Sequence, residues 1–383
     1  MKIEFKATSS CIITLLFSLI ISHRVIVAED QQWQPVPEVN YADVLELIAY
    51  RAKANYDEIS SWQGQMNIFE NIHFYGTDAA EKSHGVDTNS IARNSQHICR
   101  TDKAIAEFSV DMHNDKLYSS VEPTTQYNAV DLDQNIPPDQ YKGRPARTRT
   151  ILTPESYMWY LTDGKFHSKS PKGPSGKMVF IESSQNKNVK GFVRDPRNFF
   201  DSAEGDVKFW DTILRIKSDI SDRIGERVEG YPHIEISSME TESGIKYRIL
   251  TTWKGGESYV IKYIRSLIEV DEAVGFNATK VEVTNPDGVK LATKQYTYEK
   301  IGEIYIPKTV RKESRNNNGE LTFTSETTIE TASINKPLPE DMFTIKNLGV
   351  EEDTLVTDNI KKAEFRYSKG VLIPISEPNN SPD

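Results

Sequence analysis

Residues 305–345 read "YIPKTVRKESRNNNGELTFTSETTIETASINKPLPEDMFTI". Successive side chains of a strand point to opposite faces, so a run that alternates apolar and polar residues has one dry face and one wet face. Two such runs flank Asn-Asn-Gly at 317–319, a sequence suited to a tight hairpin. The second run is rich in β-branched residues and stops at Pro337 and Pro339, which cannot donate to a ladder. Asp341 is placed to cap the next turn, and Phe343 with Ile345 to plug the end of a barrel. The stretch reads as the closing hairpin of an antiparallel sheet.

The same period extends upstream. From Pro232 onward the chain alternates almost throughout, with turns at Glu-Ser-Gly (242–244), Gly-Gly (255–256) and Pro-Asp-Gly (286–288), which predicts a meander. "SSWQGQMNIFENIHFYG" (60–76) is a long strand with Met66, Ile68, Ile72 and Phe74 in step. "AEFSVDMHNDKLYSS" (106–120) is a strand pair about an Asn-Asp turn. "ESYMWYLTDGKFHSKSPKG" (155–173) is an aromatic strand, an Asp-Gly turn at 163–164 and a return strand. Two segments have helical spacing instead. Residues 41–56 place Val44, Leu45, Ile48 and Ala52 on one side, with Asn40 as N-cap and Asp43 in the first turn. Residues 207–216 place Phe209, Ile213 and Ile216 likewise. Residues 76–104 read as an irregular excursion and 130–150 as a Pro-rich connection. The fold class is mainly β with a few helices (α+β). One strongly curved antiparallel sheet has the 41–56 helix against its concave face.

The first residues address the compartment. Lys2 and Lys6 precede "CIITLLFSLIIS" (11–22), shorter than the roughly 18 apolar residues of a membrane span and shaped like a secretory signal peptide. Residues 1–28 are the expected signal, with Ala28 before the cut, and 29–40 a Pro-punctuated leader. Cys11 falls within the signal, so Cys99 is the only remaining thiol and no internal disulfide can form. The full chain carries −10; removing Lys2, Lys6, Arg24 and Glu4 leaves −12. That balance argues against a nucleic-acid partner, which would require basic stripes.

No catalytic signature is visible. Histidines 73, 84, 97, 113, 167 and 233 never fall at His-x-x-x-His spacing. Asp111, His113 and Asp115 alternate as three ligands might on a strand face, although a solvated strand end accounts for them. "GPSGK" (173–177) lacks the strand–helix context of a phosphate loop and reads as a turn. No Gly-x-Ser-x-Gly elbow occurs. The expectation is no enzyme, no metal and no cofactor. Aromatic residues offer more, through "YMWY", "NFF", "KFW" and "YTYEKIGEIYI". Tyr157 and Trp159 share one strand face, as do Tyr296 and Tyr298; with Phe323, Met66 and Ile68 they form the candidate lining of an apolar interior.

The helix running into "ISSWQG", the strand "LTDGKFHSKSP" and the closing "YIP…G…N…F" order, with Pro307, Gly319, Asn335 and Phe343 in those places, resemble the LolA-like family of lipoprotein carriers. The resemblance covers roughly 41–75, 156–171 and 277–346. It implies a half-open antiparallel barrel with a helical lid and a cavity for acyl chains. Residues 41–348 are the expected domain, with additional segments near 76–150 and 172–260, followed by a tail at 349–383 that is disordered at its end. The carrier's latch arginine has no assigned counterpart here. The resulting expectation is a monomeric envelope protein, exported to the periplasm of a diderm bacterium or secreted. It binds a lipid or a lipidated protein, with transient contact at a membrane surface. The rival readings are an envelope sensor or scaffold of the anti-sigma-regulator type, and a secreted hydrolase.

Overall fold

The computed structural model describes residues 32–75, 97–130, 134–135, 147–162, 178–184, 194–201, 207–221, 233–254 and 263–375. The expected signal peptide, the Asp163–Gly164 and Gly255–Gly256 turns, "GPSGK" and the last residues of the tail lie outside them.

Strand pairing builds one continuous sheet. Its first arm runs β1 (Gln34–Pro35), β9 (His233–Thr241), β10 (Gly244–Lys254), β11 (Tyr263–Asp271), β12 (Asn277–Thr284), β13 (Lys290–Ile301), β14 (Ile304–Arg315) and β15 (Leu321–Ile334). β15 then pairs with β2 (Ser61–Tyr75), followed by β3 (His97–Asp111), β4 (Lys116–Val130), β6 (Arg147–Leu152), β7 (Ser156–Thr162) and β8 (Met178–Ser183). A short β5 (Gln134–Asn135) lies beside the end of β4. β16 (Leu355–Asp358), β17 (Ala363–Ser368) and β18 (Val371–Pro374) complete the second arm. Among the described residues no pairing joins β1 to β18, so the described sheet is open. It is antiparallel except where β16 lies parallel to β8.

The turns follow their chemistry. Gly288 and Gly319 close the β12–β13 and β14–β15 hairpins at φ of 80° and 83°, where a side chain is disfavoured. Pro307, which has no N–H to give, sits beside the bulge at Lys308, where the register shifts opposite Thr297 and Tyr298. Asn335 adopts a left-handed φ of 57° at the end of β15. Its Oδ1 accepts from Ser60 N (2.6 Å) and Oγ (3.0 Å), while its Nδ2 donates to Glu58 O (2.8 Å). One asparagine thus ties the last long strand to the corner where the first helix enters β2.

That helix, α1 (Tyr41–Asp57), buries Tyr41, Leu45, Ile48, Ala49 and Ala52. Asn40 stands at its N-cap but makes no side-chain cap bond. Asn55 fastens the helix to β14, donating to Tyr305 O (2.8 Å) and accepting from Tyr305 N (2.7 Å). A second helix, α2 (Phe209–Ser221), buries Phe209, Trp210, Ile213 and Ile216 and packs against α1. Both helices cover the face of the sheet that carries Trp62, Met66, Val310 and Ile329, the principal core.

Several sequence expectations need correction. Residues 97–104, read as part of an irregular excursion, are strand paired with 68–75, and 147–150 begin β6. Asp111, His113 and Asp115 do not alternate along a strand, because 112–115 form the β3–β4 turn. The region at 172–260 supplies, besides the expected helix and the first strands of the meander, β8, which pairs with β7 and β16, and the tail at 349–375 adds β16 to β18 to the sheet. Phe343 and Ile345 do not plug a barrel end. They pack on the opposite, outer face, in a second core with Ile151, Tyr160, Val179 and Leu348. Arg149 fixes that segment by donating to Leu348 O (2.8 Å).

Gly64 lies in step with Trp62 and Met66 near the start of β2. A Cβ there would stand 2.4 Å from Glu330 O and 3.0 Å from Phe108 Cζ. Backbone cannot yield as a flexible side-chain tip does. Gly64→Ala is therefore expected to cost about 1–3 kcal/mol through overpacking, read as a lower urea midpoint with unchanged m-value. An unchanged midpoint would contradict this account of the close approach.

Candidate functional site

Register places all seven candidate lining residues on the inner face. Met66 pairs with Ile329 and Ile68 with Thr327, in step with Phe323 on β15. Tyr296 pairs with Val310, and Tyr298 follows it two residues on. Leu152, which packs on the principal core, pairs with Tyr157, and Trp159 is in step with it.

The structure does not bring all seven together. Tyr296 and Tyr298 stack at 6.4 Å between centroids, and the Tyr298 hydroxyl donates to Ala278 O (2.8 Å). With Phe199, Phe200, Trp210 and Val281 they line a gap of about 10 Å³, room for a single water. Met66 and Ile68 belong to the same core. Phe323 stands further along this face. Tyr157 is buried and Trp159 stacks on Phe180 at 4.5 Å, on the other arm of the sheet. Burial pushes the phenols of Tyr296 and Tyr298 above their ordinary range and that of Tyr157 up to about 12.

The cover of this gap is a short turn that sequence reasoning left unassigned. Pro196–Phe200 forms a 3-10 helix, begun by Asp195 accepting from Arg197 N. Phe200 meets Tyr56 edge-on at 5.0 Å and Trp62 at 6.1 Å. Ion pairs hold the turn at three points. Arg194 donates twice to Glu70 (2.9 and 2.7 Å). Arg197, only 7 % exposed, pairs with Asp195 and with Asp115. Lys208 donates to Asp201 (2.5 Å) and to Arg197 O (3.0 Å). Burial lifts the Asp201 carboxyl above its ordinary range, and the Lys208 charge opposes that shift. Sequence signals existed in "NFF" and "KFW", but not the partners that turn them into a plug.

Beyond this apolar gap the inner face becomes charged. Lys294, in step with Tyr296, lies directly opposite Lys312, in step with Val310, and Lys312 lies opposite the buried Ser325. Among the described residues no three of His, Cys, Asp and Glu gather as a metal would require. No helix among them is long and apolar enough to cross a membrane.

Three solved structures match along most of the chain. A LolA superfamily protein from Nitrosomonas europaea is 14 % identical, with 78 % of this chain and 98 % of that one covered and a TM-score of 0.31. A domain assigned to outer membrane lipoprotein sorting, from Vibrio parahaemolyticus, is 11 % identical over 79 % and 98 %, with a TM-score of 0.30. A DUF1329 family protein from Desulfovibrio piger is 11 % identical over 82 % and 99 %, with a TM-score of 0.33. The open sheet under two helices is the mainly β arrangement with a helical cover that the sequence led us to expect. No family model and no curated protein matches the sequence.

Proposed function

We propose that the protein is an exported binding protein that holds the acyl chain of a lipid or lipidated protein between its helices and its curved sheet. The observation that carries this is the nature of the cover. The inner face is apolar over its principal core, and two helices and a pinned aromatic turn close it, where a second sheet would make a permanent wall. The gap under Phe199 and Phe200 is small, so uptake requires this cover to move. About ten buried methylenes at roughly 0.8 kcal/mol each match the roughly 8 kcal/mol of a micromolar complex. The outer faces of α1 and α2 expose Leu47, Tyr50 and Leu214 beside Asp43, Glu46 and Lys53, a surface suited to brief contact with a membrane or a lipidated partner. The protein acts as a monomer in the periplasm or outside the cell and performs no chemistry on its ligand.

A fluorescent fatty-acyl probe tests this. The wild type is expected to bind it with micromolar affinity. Ala278→Phe, which fills the gap beside Tyr298, should weaken uptake about tenfold, or 1.4 kcal/mol, with the circular dichroism unchanged. Trp159→Ala, on the far arm, should weaken it less and so measure how far the chain extends. A wild type that takes up no probe would defeat the carrier reading. The closeness of the packing around Phe200 would then favour the second reading, an envelope scaffold or sensor with a solid core.

A further inference from the structure

The second arm of the sheet ends in a strand with an exposed apolar face. β18 pairs with β17 on one side. Leu372 turns to the second core, so Val371, Ile373 and Ile375 share the opposite face. They are 59, 49 and 46 % exposed, and Ile360, in the turn between β16 and β17, is 50 % exposed. Single exposed apolar residues are ordinary, but a row of them marks an interaction surface.

The charge here also departs from the rest of the chain. The whole sequence carries −10, yet residues 359–375, "NIKKAEFRYSKGVLIPI", set Lys361, Lys362, Arg366 and Lys369 against Glu364, a local +3. Lys361 and Lys362 stand at one end of β17 and Lys369 at the other, while Arg366 lies opposite Ile373 on the apolar row's own face. The neighbouring carboxylates are engaged. Asp358 accepts from Ile360 N (3.0 Å) and Lys361 N (2.9 Å), Glu352 accepts from Lys369 N (2.7 Å), and Asp353 lies 3.6 Å from Arg366. Among the described residues no carboxylate pairs with the ammonium of Lys362 or Lys369.

The free edge argues against a partner strand. Ile375 N donates to Glu364 O (3.0 Å), so the odd-numbered residues of β18 direct their backbone groups to β17, and Leu372 and Pro374 direct theirs to the edge. Pro374 has no N–H, which leaves Leu372 as the one donor between them, too few for a ladder. A lipid surface requires no ladder.

We propose that the β17–β18 hairpin docks on an anionic lipid bilayer, with Val371, Ile373 and Ile375 in the interfacial layer and Lys361, Lys362, Arg366 and Lys369 against headgroup phosphates. Burial of the apolar row and attraction of the cations act together at such a surface. At physiological salt, charges more than about 8 Å away are largely screened, so the hairpin meets the bilayer on its own charge and not on that of the acidic chain. The inference stands apart from the acyl-chain reading and uses a different surface from Leu47, Tyr50 and Leu214.

The test is sedimentation with vesicles of phosphatidylcholine alone and of phosphatidylcholine with about one third phosphatidylglycerol. The wild type is expected to bind the anionic vesicles about tenfold or more tightly than the neutral ones, and to lose that preference as salt rises. Lys361→Gln/Lys362→Gln/Lys369→Gln should weaken the binding by roughly fivefold per lysine. Val371→Ser/Ile373→Ser/Ile375→Ser should weaken it by about tenfold or more. Leu47→Ser/Leu214→Ser should leave it unchanged, and the hairpin variants should keep the wild-type circular dichroism and uptake of the fatty-acyl probe. A wild type that binds neither vesicle, or both equally, overturns the proposal, as does undiminished binding by the hairpin variants. A dimer in analytical ultracentrifugation that the serine variant dissociates, without vesicle binding, would assign the row to a second copy of the chain and overturn the bilayer.

Discussion

Arg197→Ala is expected to destabilise the protein by about 3–5 kcal/mol, the usual cost of leaving one member of a buried ion pair alone. The guanidinium is enclosed, and Asp195, whose side chain is 10 % exposed, takes Nε at 3.0 Å and Nη2 at 2.7 Å from it. Removing the arginine strands that carboxylate under the cover. Burial works against the guanidinium's charge, but the Asp195 and Asp115 charges outweigh it and hold the group above its ordinary range. Asp115 is a different partner, 73 % exposed, so Asp115→Asn should cost less than about 1 kcal/mol. Arg197→Lys keeps the charge but loses the fork, and should fall between the two. Urea denaturation reads all three. Hydrogen exchange should show Pro196–Phe200 opening faster in Arg197→Ala while β2 and β15 keep their protection. If Arg197→Ala cost no more than Asp115→Asn, the ion pairs would not be what holds the cover down.

The meander was legible because period-two alternation and tight turns are local. "TFTSETTIETASI" needs no partner to show which side of it is dry. What stayed hidden depended on distant partners. β3 begins "HICRTDKA", with four polar residues in a row at 100–103 and no alternation, and becomes a strand because β2 and β4 flank it. β16 to β18 are only four to six residues long, and β16 gains its place by lying parallel to β8, far earlier in the chain. Runs that short carry too few repeats for periodicity to show.

The candidate site was legible in the same uneven way. Alternation alone puts Met66, Ile68, Tyr157, Trp159, Tyr296, Tyr298 and Phe323 on dry faces, and register makes these one face. Which of them meet is set by curvature and by the Pro196–Phe200 turn, neither of which is a local property. The lysines were within reach. In "ATKQYTY" Lys294 keeps step with Tyr296 and Tyr298, and in "TVRKES" Lys312 keeps step with Val310. Recognising that the two are opposite each other required the register of β13 on β14.

Trp62→Ala should cost about 3–5 kcal/mol, as large-to-small changes of buried tryptophan do. Trp62 is 0 % exposed in the principal core of the inner face. Its ring meets Phe108 at 5.2 Å and 81°, near-perpendicular packing that the ring quadrupoles favour. It meets Phe200 of the cover at 6.1 Å, and Nε1 donates to Thr331 Oγ1 (3.2 Å). Trp62→Phe keeps most of the apolar contact and loses that hydrogen bond, so it should cost less, about 1–2 kcal/mol. The two variants also separate stability from binding. Alanine at 62 opens an apolar void directly under Phe200, and apolar voids of this kind accept apolar guests. Trp62→Ala should therefore unfold at lower urea while binding the fatty-acyl probe at least as tightly as the wild type, below its unfolding transition. Loss of probe binding in the still-folded variant would place the chain against Trp62 itself, and the gap lined by Phe199 and Tyr298 would not be where it lies.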